Sequence, residues 1–102
     1  MELALTGRHM DAEEAWRAGL LNRLVEEGNA LAAARELALE IAANAPLAVA
    51  ASKQIIRESR SWSEDERFTR QHPLVEPVIS SEDAQEGARA FAEKRTPLWR
   101  GR

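Results

Sequence analysis

The alanine-rich stretch that follows Asn29 most narrowly limits what this chain can fold into. Its apolar side chains recur every three or four residues, which is the spacing of one helix face: Leu31, Ala34, Ala38, Ile41 and Ala45. Glutamates occupy the opposite face. The pattern predicts an amphipathic helix from about Ala30 to Asn44 whose buried face consists largely of methyl groups.

Glycine, aspartate and proline mark the limits of further short helices. Residues 3–5 look like the last turn of a helix stopped by Gly7, so the chain is expected to begin near the end of an element. Asp11 is typical of a helix start and Gly19 of its end. The proline that opens the segment 46–58 suits the first turn of another helix.

The last forty residues contain two prolines and a final helix. A charged helix is expected over 61–70, and Pro73 and Pro77 are expected to break regular structure because they lack the N–H that a helix interior needs. Ser80 or Ser81 caps the final helix, whose apolar stripe is small: Ala84, Gly87, Ala88, Phe91 and Ala92.

These patterns predict an all-α fold of four to five short helices in a single domain, residues 1–102. Much of each apolar stripe is alanine. Since burial stabilises by only about 25 cal/mol per Å², such faces supply little energy, and the helices are expected to need a further partner surface.

The overall composition disfavours several classes of function. The chain has no Cys, which rules out disulfides and thiolate metal sites, and its net charge of −3 argues against nucleic-acid binding. No apolar run approaches the roughly 20 residues that cross a bilayer. No membrane partner is expected, and a cytoplasmic location is the default. His9 and His72 lack a second ligand at helical spacing, so neither a metal site nor a catalytic residue is predicted.

Two aromatic residues lie among four cations at the C-terminus: Phe91, Lys94, Arg95, Trp99, Arg100 and Arg102. One interpretation is a ligand site, with cations pairing with phosphate and rings stacking on a base. The other is a basic tail whose two rings lie in the core. Spacing alone favours the second interpretation, because apolar stripes usually face a core.

Three sets of segments are similar to a known family. They are LTGR at 5–8, AEEA at 12–15 and GLLNRLV at 19–25; NAPLA at 44–48 with Lys53; and SEDA at 81–84, EG at 86–87, AF at 90–91 and EKR at 93–95, followed by Pro97 and Trp99. Their order and spacing resemble the C-terminal helical lobe of the enoyl-CoA hydratase/isomerase (crotonase) family over essentially the whole chain. Leu21, where valine is commoner, and the two prolines near residue 75 depart from the family pattern.

The resemblance implies a chain without a catalytic site of its own. In the family, an N-terminal spiral supplies the oxyanion hole and the acid–base residues, and no segment here matches them. Phe91 and Lys94 match positions that reach the adenosine-phosphate part of coenzyme A. CoA would then be bound as part of an acyl-CoA substrate, with no separate cofactor. The expected partners are the spiral domain or further copies of the chain.

Three functions stay open at this point. The chain can be the C-terminal domain of a hydratase or isomerase, serving oligomerisation and closure of the CoA site. It can instead be a free-standing helical module that binds itself or another protein. An independent enzyme is the weakest hypothesis, because the groups that polarise a thioester are missing from this sequence.

Overall fold

The computed structural model describes residues 1–102 and contains only helices, which confirms the all-α prediction. There are six α-helices, more than the four to five predicted, and one 3-10 turn: α1 Glu2–Thr6, α2 Ala12–Arg17, α3 Ala30–Ala42, α4 Pro46–Glu58, the 3-10 turn Ser59–Ser61, α5 Arg67–Ile79 and α6 Glu82–Glu93. The chain divides into two compact units, an N-terminal unit (Met1–Ala38) and a C-terminal unit (Leu39–Arg102). None of the helices is both long and apolar enough to span a lipid bilayer.

In the N-terminal unit, one arginine links the first two helices. The Arg8 guanidinium donates from Nε to Glu2 at 2.8 Å and from Nη1 and Nη2 to the Glu14 carboxylate at 2.9 and 2.5 Å. These contacts lower the pKa of the Glu14 carboxyl. Asp11 caps α2 as predicted, because its Oδ1 accepts the Glu14 amide at 2.7 Å. Gly7 ends α1 in the left-handed conformation, also as predicted.

The C-terminal unit begins with the last residues of α3 and continues into α4, which spans the predicted residues 46–58 and opens on Pro46. Trp62 follows the 3-10 turn and is 8% exposed. It is the largest buried side chain of the protein. The predicted helix over 61–70 is therefore wrong in its first half, where a 3-10 turn and irregular backbone bury the tryptophan instead.

The expectation that Pro73 and Pro77 break regular structure is also wrong, because α5 runs through both. Each proline leaves the carbonyl four residues earlier without a helical donor, namely those of Thr69 and Pro73. Both prolines are exposed on one side of α5, where water can solvate these carbonyls. Packing on the other side compensates for the lost hydrogen bonds, through the half-buried Leu74, Val75 and Val78.

The last helix starts where the sequence predicts, but it packs through a different face. Ser81 caps it, with Oγ accepting the Ala84 amide at 3.0 Å. Phe91 and most of the predicted stripe are exposed, whereas Asp83 and Ala90 are buried and Gly87 is half-buried. The reason is that the C-terminal tail, residues 95–102, folds back along this other face.

Much apolar surface stays uncovered. The accessible surface is 8679 Å², whereas two separate compact proteins with the masses of the two units would together expose about 7,000 Å². The buried residues all belong to the C-terminal unit: Trp62, Ser81, Asp83 and Ala90. Large exposed apolar side chains lie on every helix, among them Leu5, Trp16, Leu31, Leu39, Ile56, Phe68, Ile79 and Phe91. Of these residues, Leu31 and Phe91 belong to the apolar stripes for which the sequence predicts a partner surface.

Candidate functional site

The candidate site lies where α6 ends. Lys94 is the residue after the helix and has a left-handed backbone, with φ 53° and ψ 42°. The Arg95 amide donates to the Ala90 carbonyl at 3.0 Å and the Lys94 amide to that of Phe91 at 3.3 Å. This pattern closes a helix with a tight turn in which glycine is the usual residue. Here the turn presents a lysine, whose side chain is exposed.

Phe91 lies in the last turn of α6, and Lys94 follows it by three residues as the residue that closes the helix. The ring of Phe91 is 87% exposed. The interpretation that places this ring in the core therefore does not apply within this chain. An exposed aromatic face beside an exposed ammonium group is a suitable surface for a ligand with an apolar or aromatic part and an anionic part.

Three other members of the C-terminal aromatic and cationic set, Arg95, Trp99 and Arg102, have partners of their own. Arg95 forms a fork with the Glu86 carboxylate, at 2.6 Å from Nη1 and 3.0 Å from Nη2, and also donates to Glu93. Its guanidinium is thus already engaged by carboxylates. The side chain of Arg102 pairs with Glu82 at 3.2 Å. Two of the four cations of this set are therefore paired with carboxylates of α6.

Trp99 packs against α6 at Gly87, one helical turn before Phe91. Its Nε1 donates to the Ala43 carbonyl at 2.8 Å, at the end of α3. Its ring covers Gly87 so closely that a Cβ at that position would lie 3.2 Å from Cη2. A Cβ at position 87 would thus force the ring to shift by a few tenths of an ångström, and Trp99 serves to anchor the tail to the helices.

Two carboxylates of α6, whose role sequence reasoning missed, fasten the tail. Asp83 is 2% exposed, and its two oxygens accept the amides of Arg100 at 2.7 Å and Gly101 at 2.9 Å. Glu86 Oε1 accepts the Leu98 amide at 2.9 Å in addition to its ion pair with Arg95. The only sequence signal was their place in the SEDA and EG segments, because neither spacing nor charge distinguishes them from the exposed acids around them.

Protonation of Glu86 is expected to loosen this attachment. The ion pair with Arg95 and the hydrogen bond from Leu98 lower the pKa of the Glu86 carboxyl from 4.5 to about 2. Because the folded pKa lies below the unfolded one, the stabilisation by Glu86 is complete above about pH 5 and is lost as the pH falls toward 2. We expect the Leu98 amide to lose hydrogen-exchange protection over that interval, after correction for intrinsic exchange. In a Glu86→Gln chain the protection of the Leu98 amide should not change over this pH interval. A pH-dependent loss of protection that persists in this variant would show that another group causes it.

The remaining candidates for a metal or catalytic site are the histidines and the acidic residues. No group of three or more His, Asp or Glu side chains is placed to hold a metal ion. His9 and His72 are both exposed and lie in different units. The acidic residues of α6 accept hydrogen bonds from the tail and none of them faces a paired set of free amide donors.

Comparison with known proteins identifies the family. The family model for enoyl-CoA hydratase/isomerase matches residues 1–102. The chain is 48% identical over 105 aligned positions to carnitinyl-CoA dehydratase of Citrobacter koseri, covering 99% of this chain and 40% of that protein. The chain thus spans about 40% of the length of the curated relatives it matches.

Solved structures agree with this assignment. An enoyl-CoA hydratase of Mycobacterium tuberculosis H37Rv superposes with a TM-score of 0.98 at 56% identity, over all of this chain and 40% of that one. An enoyl-CoA hydratase of Mycobacterium marinum gives 0.97 and 57%, with the same coverage. The all-helical fold corresponds to the C-terminal helical part of such proteins. This chain belongs to the enoyl-CoA hydratase/isomerase family.

Proposed function

We propose that the chain acts as the C-terminal helical part of an acyl-CoA hydratase or isomerase and that its last helix helps to bind the CoA portion of the substrate. The single observation that supports the binding role is the end of α6, where Phe91 and, three residues later, Lys94 are both exposed. The phenyl ring would form an apolar wall, and the ammonium group would pair with a phosphate oxygen.

The reaction that this proposal implies is addition or removal of water, or movement of a double bond, next to a CoA thioester. The relatives are named for such chemistry, as enoyl-CoA hydratases and carnitinyl-CoA dehydratases. An enolate-like transition state needs paired donors at the thioester oxygen and an acid or base at the reacting carbons. We propose that these groups come from polypeptide outside residues 1–102 and that the uncovered apolar faces bind that polypeptide.

A chimera tests the proposal directly. The part of the M. tuberculosis enoyl-CoA hydratase that this chain does not cover would be joined to all 102 residues of this chain. Because the two C-terminal parts share 56% of their residues and superpose with a TM-score of 0.98, we expect the chimera to fold and to hydrate an enoyl-CoA. The isolated chain should show no hydration. Turnover by the isolated chain, or a folded chimera that neither binds CoA nor turns over, would contradict the proposal.

The alternative function is a free-standing module that associates with itself through its exposed apolar faces. Its specific support is the same uncovered surface, which includes Leu31, Phe68 and Ile79. Sedimentation of the isolated chain, combined with calorimetric CoA titration of the chimera, separates the two functions. A stable self-associated chain together with a chimera that has no affinity for CoA would favour the module.

Lys94→Ala is expected to weaken CoA binding to the chimera by about 1–3 kcal/mol, because a charge-assisted hydrogen bond to phosphate is lost. Isothermal calorimetry measures the change. Arg89→Ala is the matched control, since Arg89 is an exposed cation of the same helix that lies on the side opposite Phe91. Equal affinities of the Lys94→Ala chimera and its parent would remove Lys94 from the binding site.

A further inference from the structure

Lys94 has an unusual backbone for a lysine. Five residues of the chain have a positive φ. Four of them are glycines, and the fifth is Lys94. The left-handed region costs an L-residue roughly 1 kcal/mol relative to its ordinary conformations. A lysine therefore stays there only if contacts on both sides of it fix the turn.

The contacts before Lys94 are those of any helix end. After it, the Arg95 amide donates to the Ala90 carbonyl at 3.0 Å, and one side chain of α6 adds three further hydrogen bonds. The Glu86 carboxylate binds the Arg95 guanidinium through two hydrogen bonds and the Leu98 amide through a third. These partners lie one and four residues beyond Lys94. The Glu86 side chain is only 18% exposed, so water competes little for its oxygens. Glu86, two turns before Lys94, thus helps to set the path of the chain that leaves this residue, together with the Ala90 carbonyl, the Asp83 carboxylate and Trp99.

We propose that Glu86 is a positioning residue for Lys94. By fixing Arg95 and Leu98, it maintains the left-handed turn and so sets the direction in which the Lys94 ammonium leaves the helix end. The same ion pair engages the neighbouring Arg95 guanidinium, so that Lys94 and not Arg95 supplies the cation of this turn. This inference rests on the proposed function, in which Lys94 contacts the CoA phosphate.

The choice of lysine over glycine supports this role. Glycine would adopt the same turn without conformational cost, but it would bring no cation to the helix end. The chain instead places a cation at the strained position and fastens the following residues with an ion pair. Lys94→Gly in the chimera should therefore preserve the turn and raise its stability while CoA binding weakens as much as in Lys94→Ala.

A double-mutant cycle in the chimera tests whether Glu86 acts through Lys94. Glu86→Ala should raise the Kd for CoA about tenfold when Lys94 is present and leave it nearly unchanged in the Lys94→Ala background. Glu86→Gln should give an intermediate effect, because it retains an acceptor for the Leu98 amide but loses the charge that pairs with Arg95. Glu82→Ala is the matched control, since that exposed acid of α6 pairs only with Arg102 of the tail.

Hydrogen exchange of a peptide covering residues 94–98 provides a second measurement that does not require CoA. Glu86→Ala should speed exchange in this peptide, and Glu82→Ala should not.

Equal effects of Glu86→Ala on CoA binding in both backgrounds, or unchanged exchange in the peptide, would overturn the positioning role and leave the proposed function intact. Unchanged CoA binding in Lys94→Ala alone would instead refute the proposed contact. If Glu86→Ala does not fold, the cycle and the exchange measurement proceed with Glu86→Gln.

Discussion

Replacing Trp62 by alanine is expected to lower the free energy of unfolding of the C-terminal unit by about 3 kcal/mol or more, because truncating a buried aromatic side chain removes its burial energy and leaves a cavity. Trp62 is the only large side chain in this protein that is buried. A unit of this size has a total stability of only about 5 kcal/mol, so the variant should be largely unfolded near 37 °C. Urea denaturation followed by far-UV circular dichroism measures the loss.

The matched control for this prediction is Trp16→Ala in the N-terminal unit. Trp16 is 50% exposed, so the same truncation there removes much less buried surface. We expect a change of about 1 kcal/mol or less for the control. Similar losses for the two tryptophans would show that the segment around the 3-10 turn does not form the core of the C-terminal unit.

Replacing Asp83 by asparagine is expected to destabilise the C-terminal unit by about 2–3 kcal/mol. Both carboxylate oxygens accept backbone amides, those of Arg100 and Gly101. An asparagine offers one acceptor, and its NH₂ group would face the second amide donor at a buried site. The residues that follow Trp99 should therefore detach from α6, which hydrogen exchange of the Arg100 and Gly101 amides would report.

Glu82→Gln is the control for Asp83→Asn, because it makes the same chemical change at the adjacent residue. Glu82 is exposed and its partner is the side chain of Arg102 rather than a backbone amide. An exposed ion pair contributes only about 0–1 kcal/mol, so Glu82→Gln should leave the unfolding transition nearly unchanged. A stability loss in Asp83→Asn no larger than in the control would mean that the tail is attached by other contacts, such as that of Trp99.

The packing of the tail on α6 explains why Phe91 is exposed at the candidate site. Trp99, Asp83 and Glu86 bind the tail to one face of the helix, and this leaves Phe91 on the free face. In most surface helices the apolar residues face the rest of the protein and the acids face water, whereas in α6 Phe91 is exposed and the acids Asp83 and Glu86 face the tail. This arrangement is expected if the face that carries Phe91 contacts a ligand or another part of a larger protein, as we propose.

Local sequence determined most of the helix limits. Asp11 and Ser81 offer side-chain oxygens to the first amides of α2 and α6, Gly7 permits the left-handed end of α1, and Pro46 starts α4. These are interactions within a few residues, so they can be recognised without knowing the fold. The family resemblance is likewise a property of residue order and was confirmed by the comparisons.

Only the tertiary structure decided which residues act together at long range. The path of α5 through Pro73 and Pro77 depends on packing of its other face, which compensates for two missing hydrogen bonds. The same is true of Arg95 and Trp99, which the sequence groups with Phe91 and Lys94 but which the tail turns toward Glu86 and Ala43. Periodicity shows which residues share a helix face, whereas the partner of that face depends on how the rest of the chain folds against it.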